Sequence, residues 1–154
     1  LEEGRPMFLR RPDSHLGLAN FMRSHLYASL VTLKIGLDIL LKEEDVKIDS
    51  ITGHGGLFKT KGVGQSILAA AMNAPISVME TAGEGGAWGM ALLAAYMLSK
   101  KDGQSLGDYL DSRVFAERKS ETMEPDPADV AGFETYTKQY QACLAAEKVA
   151  VQAF

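Results

Sequence analysis

The residues with the strongest claim to chemistry are Ile51-Thr52-Gly53-His54-Gly55-Gly56-Leu57-Phe58-Lys59-Thr60. Three glycines directly after β-branched residues make a turn in which backbone amides can approach a ligand. A helix N-terminus behind such a turn adds partial positive charge, and the pair is a general device for holding phosphate. The stretch departs from both common nucleotide patterns. No Gly-Lys-Ser/Thr follows at P-loop spacing, and Phe58 stands where the dinucleotide fingerprint has its third glycine. A tight turn leaving a strand uses the same glycines for steric reasons alone, so composition leaves both readings open. His54 could reach a ligand from this turn or hydrogen-bond to backbone.

A second cluster, Gly83-Glu84-Gly85-Gly86, follows Thr81 by the three-residue interval to Glu84 that makes a capping box, which predicts a structural role for Glu84. His15, His25, His54 and Cys143 share no metal-ligand spacing, and no nucleophile elbow or zinc-protease pattern occurs. The expectation is therefore no metal site within the chain.

The elements that must position these turns follow from periodicity. Leu18, Met22, Leu26, Leu30, Leu33, Leu37 and Leu40 recur at helical spacing, predicting a long helix over His15 to Leu41. A second stripe, Phe21, Ala28, Val31, Ile35 and Ile39, leaves little polar circumference, so most of that helix is expected to be buried. Val46–Ile51 alternates as a strand feeding the glycine turn. A helix over Lys61–Asn73 is stopped by Pro75, a short strand covers Ile76–Val78, and an Ala/Met/Leu helix runs on to about Leu98. Ser105 with Asp108 opens a short helix, Val114–Ala116 reads as an edge strand, and Thr122–Pro127 reads as a loop. Asp126 as N-cap and Pro127 at the first helical position start a last helix with Phe133, Tyr136, Tyr140 and Leu144 on one face.

Alternating strands and helices of this kind make a small α/β domain, a mixed sheet flanked by long helices. The length of 154 residues fits one hydrophobic core, and 46% apolar with 23% charged residues excludes wholesale disorder or a rod. A net charge of −4 without a basic tract makes nucleic acid and anionic membrane poor partners. One cysteine forms no internal disulfide, and neither a signal peptide nor a bilayer-spanning run is expected, which points to a reducing cytoplasm. The start at Leu1 rather than methionine suggests processing or a piece of something longer.

In order along the chain, Gly55-Gly56-Leu57-Phe58-Lys59-Thr60 with Gln65, then Asn73-Ala74-Pro75-Ile76, then Glu84-Gly85-Gly86-Ala87-Trp88-Gly89-Met90-Ala91-Leu92-Leu93-Ala94, resemble the C-terminal domain of the FGGY family of carbohydrate kinases, in its xylulokinase and ribulokinase branch. The resemblance runs from about Phe8 onward. It implies an actin-like ATPase (ribonuclease H-like) fold in which two domains close over a cleft. Residues 15–154 would be the nucleotide-side domain, and residues 1–14 an extended lead-in segment or linker. The parent enzyme would transfer the γ-phosphate of ATP to a sugar hydroxyl, with a pentulose such as xylulose or ribulose as substrate.

The resemblance carries the family's contacts to adenosine and α-phosphate onto Gly55 and Gly56, with Gly53 and His54 as neighbours. Lys59 would offer charge toward phosphate, and Thr60 would stand on the adenine side unless its hydroxyl caps the next helix. Mg²⁺ would be held mainly by the N-terminal domain and the phosphates. The catalytic aspartate and the sugar site belong to that first domain, so the partners implied are the N-terminal domain of the same kinase, the sugar, and a second copy through exposed apolar surface. This chain alone should be catalytically silent. Leu57 replaces a frequent third glycine, which would narrow the adenine side, and Thr32 replaces a usual acidic residue. Two other readings stay open: a non-catalytic α/β interaction domain, and an actin-like ATPase without sugar transfer.

Overall fold

The structure is a computed structural model that describes residues 4–48, 50–116 and 120–153. These residues gather into two compact units, where the length suggests one core. The first comprises Leu1–Lys47, Ala70–Asn73 and Asp126–Phe154, and the second Ile48–Ala69 and Ala74–Pro125.

The second unit holds a three-stranded mixed sheet in the order β1 (Ile51–Gly53), β2 (Ile76–Met79), β3 (Ser120–Met123). Strands β1 and β2 are parallel, with Ile51 opposite Ile76 and Gly53 opposite Val78. Helix α2 (Val63–Met72) supplies the crossover that a parallel pair requires. Strand β3 pairs antiparallel to β2, with Ile76 opposite Met123 and Met79 opposite Ser120. The buried Gln65 of α2 fastens this arrangement, because its side-chain amide donates to the Ile76 carbonyl at 2.7 Å and the Glu121 carbonyl at 2.8 Å. Both amide protons are thereby satisfied inside the unit.

Two strand expectations are corrected. The stretch 46–48 is irregular and β1 begins only at Ile51, Asp49 lying outside the described residues. The cause is the end of the preceding helix: Asp45 takes a φ of 50°, and the Val46 amide donates back to the Leu40 carbonyl at 3.1 Å. Val114–Ala116 is no strand either, since the Phe115 amide closes a π-helical turn (Leu110–Val114) on the Leu110 carbonyl at 2.8 Å. The edge strand lies further on, at Ser120–Met123, and its last two residues fall in the expected loop. Ser77 and Thr122 share a hydroxyl hydrogen bond of 2.8 Å across it.

After β2 a 3₁₀ turn (Ala82–Glu84) leads into α3 (Gly85–Ser99), and Ser105 then caps α4 (Leu106–Tyr109) by accepting from the Asp108 amide at 3.1 Å. The capping box expected at Thr81 does not form. Its side chain caps nothing, and Glu84 turns to another partner. No residue of α3 is buried, and Met90, Leu93, Met97 and Leu98 are exposed.

The first unit pairs α1 (Leu18–Lys42) with α5 (Pro127–Ala153). Helix α5 starts as its sequence dictates, the Asp126 carboxylate accepting from the Ala128 and Asp129 amides at 2.8 and 3.1 Å. Phe133 is fully buried, with Tyr27 at 4.7 Å between ring centroids and Tyr136 at 5.3 Å from Tyr27. Burial of most of α1 is not observed. Only Tyr27, Leu30 and Val31 are buried, while Leu18, Met22 and Leu33 are exposed. Helix α1 also corrects the expectation that no run could span a bilayer, because an 18-residue window reaches a mean hydropathy of 1.3 with few charges. By length and composition it passes that test, the two apolar stripes leaving little room for polar residues. Lys34 and Asp38 nevertheless form an ion pair of 2.7 Å within it.

Candidate functional site

Because β1 and β2 are parallel neighbours, their C-terminal ends lie side by side and the loops that leave them share one edge of the sheet, the place where α/β folds accept ligands. The two glycine clusters, thirty residues apart in sequence, therefore meet. The Gly55 amide donates to the Ala82 carbonyl at 2.7 Å, and Lys59 lies 2.8 Å from the Glu84 carboxylate. That hydrogen-bonded lysine holds the Glu84 carboxyl below its usual range.

Each glycine has its own reason. A Cβ on Gly53 would lie 2.6 and 2.9 Å from atoms of the Phe58 ring, so this buried position is small because an aromatic side chain packs on it. Gly55 has a φ of 106°, a conformation that disfavours side chains. A Cβ on Gly83 would meet the Lys59 stem at 3.3 Å, and one on Gly85 would meet the His54 Nδ1 at 3.2 Å. Gly56 alone in the first turn has ordinary φ and nothing within 4 Å of a Cβ.

Two clefts flank the joined loops. One, of about 450 Å³, is lined by Phe58, Thr60, Lys61, Gly62, Gln65, Val78, Met79, Glu80, Ser120 and Glu121. Its Lys61 pairs with Glu121 at 2.9 Å, which raises the ammonium's pKa. The other, of about 540 Å³, lies between His54, Gly55, α3, α4 and Phe115.

The expected site residues thus divide. Thr60 lines the first cleft and stands three residues ahead of α2, too early to cap it. His54 and Gly55 line the second cleft, Lys59 is ion-paired on the surface, Gly56 is uncovered, and Gly53 lies beneath Phe58. Leu57 lines neither cleft: a Cβ on Gly64 would lie 2.7 Å from its Cγ, so it packs against α2 instead of narrowing a pocket. Thr32 is an exposed residue of α1. Among the described residues no cluster of three or more His, Cys, Asp or Glu could hold a metal. Sequence reasoning missed Lys61, Glu80, Ser120 and Glu121, which belong to no motif; Ser120 and Glu121 reach the cleft through the pairing of β3 with β2.

The model of the FGGY family of carbohydrate kinases, C-terminal domain, matches residues 1–98. The chain belongs to this family. An FGGY C-terminal domain has the actin-like ATPase fold and pairs with an N-terminal domain in enzymes that phosphorylate sugars with ATP, so carbohydrate metabolism is its setting. The matched span covers both glycine loops and ends within α3. No curated protein and no solved structure matches the chain.

Proposed function

We propose that this FGGY domain forms the nucleotide-side wall of a kinase that transfers the γ-phosphate of ATP to a hydroxyl of a pentulose such as xylulose or ribulose. One observation carries the reading: at the strand ends the Gly56 backbone is exposed, and a Cβ there would enter empty space. A cradle that a side chain would fill fits a ribose and α-phosphate. Gly55 and Gly56 would hold them, with Thr60 on the base side beside a polar cleft and Lys59 within reach of phosphate charge. Gly53 and His54 act behind that surface, Gly53 by seating Phe58 and His54 by covering Gly85.

When bound, ATP would supply the phosphoryl group and Mg²⁺ would neutralise charge on it during transfer. The residues of this chain bind and orient the nucleoside end and exclude water from it. On this reading, which rests on the family pairing with an N-terminal domain, the catalytic carboxylate and the sugar site belong to that N-terminal domain, and the chain alone turns over no ATP.

The test is Gly56→Val in the complete kinase, with an ATP analogue titrated calorimetrically. Binding should weaken at least about tenfold, the cost of one unfavourable contact of ~1.4 kcal/mol. Unchanged affinity in a folded variant would overturn the reading. A panel of pentuloses, aldoses and glycerol with the wild-type kinase decides the sugar.

A further inference from the structure

We propose that Gln65 selects the base of the nucleotide: its side-chain carbonyl oxygen accepts from the exocyclic amino group of a 6-aminopurine, so that the domain takes ATP and rejects 6-oxopurine nucleotides. This inference rests on the nucleotide reading above, in which Thr60 stands on the base side. Thr60 and Gln65 line the same cleft, of about 450 Å³.

The observation is an amide with one end occupied and the other free. Gln65 is 5% exposed, and its amide nitrogen donates to the Ile76 carbonyl at 2.7 Å and the Glu121 carbonyl at 2.8 Å. Those two acceptors fix the orientation, because only the nitrogen end of the amide carries protons. Among the described residues no group donates to the oxygen end. No buried side-chain polar atom is sealed off without a partner, so this oxygen keeps an open side, and the cleft is the open space that Gln65 lines. A nearly buried acceptor, held still by β2 and β3, calls for a donor from a ligand.

The other walls of the cleft suit a base as the carrier of that donor. Phe58, Val78 and Met79 present apolar surface to the faces of a flat ring, and the hydroxyls of Thr60 and Ser120 can donate or accept at its edge. An amino group at position 6 of a purine brings N–H to the Gln65 oxygen. A 6-oxopurine brings a second carbonyl instead, and two acceptors face to face leave both unpaired.

Calorimetric titrations of the complete kinase would compare ATP with N6,N6-dimethyl-ATP, which keeps the ring and loses both amino protons, and with ITP, which has a carbonyl in place of the amino group. Each should bind at least about tenfold more weakly than ATP. In Gln65→Met the three affinities should fall within about twofold of one another. A purely structural role would weaken all three alike and preserve their ratios. Since this variant also loses two buried hydrogen bonds and could unfold, the wild-type protein provides a second measurement. The side-chain carbonyl carbon of Gln65, observed by NMR, should shift on saturation with ATP and clearly less with N6,N6-dimethyl-ATP. Equal affinities in the wild type, unchanged ratios in a folded Gln65→Met, or a Gln65 signal that ATP does not move would overturn the proposal. Gly56→Val separates such a result from failure of the nucleotide reading. If that variant weakens ATP binding, only the role of Gln65 falls; if it does not, the reading falls and this inference with it.

Discussion

The Lys59 ammonium, from the loop after β1, lies 2.8 Å from the Glu84 carboxylate, from the turn after β2. Both groups face water, so the pair adds little to stability and is screened by salt. Its consequence is for charge. A lysine held by a carboxylate is only partly available to a phosphate, and removing either partner should move nucleotide affinity in opposite directions. Lys59→Met should weaken ATP binding by the complete kinase, and Glu84→Gln should strengthen it, each by about two- to fivefold at low salt. Calorimetric titrations at low and high salt check this, with both effects shrinking as salt rises. Shifts of the same sign would show that Lys59 does not face the nucleotide.

The relation between Gly53 and Phe58 separates packing from binding within one turn. Since a Cβ on Gly53 would overlap the Phe58 ring, Gly53→Ala should destabilise the fold by about 1–3 kcal/mol through overpacking. Gly56→Ala, with open space at that position, should leave stability within about 0.5 kcal/mol. Phe58→Ala removes the obstacle, so Gly53→Ala in that background should cost clearly less than in the parent. Urea denaturation of the four variants measures the coupling. Equal costs for Gly53→Ala with and without Phe58 would mean that the ring is not what requires the glycine.

What the sequence made legible was local. Asp126 before Pro127, and Ser105 three residues before Asp108, place cap and helix within a few residues of each other, and both caps form. The first glycine turn was legible for the same reason, as was the α/β alternation around it. The capping box at Thr81 was misread because its carboxylate had a stronger partner in Lys59, twenty-five residues away. Strand β3 was hidden for a related reason. Ser120–Met123 has little β character of its own, and its pairing depends on β2 and on the Gln65 amide reaching its backbone. Apolar stripes on α1 showed which residues can be buried, and not which ones are.

Asp38 gives a pH-dependent test in the first unit. Burial alone would raise its carboxyl pKa, but hydrogen bonds and charge from Lys34 and Lys42 outweigh that and hold it below the ordinary 3.8. The Lys34 contact is 2.7 Å with that lysine side chain 11% exposed, whereas Lys42, at 3.1 Å, is 72% exposed. Asp38→Asn should therefore destabilise the fold by about 1 kcal/mol at neutral pH, and Lys34→Met should cost more than Lys42→Met. The sign follows from the lowered folded value. The carboxylate's contribution is complete above 3.8 and disappears as pH falls through the still lower pKa of the folded protein. Urea midpoints of the wild type and Asp38→Asn should then stay separated from neutral pH down to the carboxyl range and converge below it. A gap that persisted in strong acid would have to come from packing, and the ion pair would not be its source.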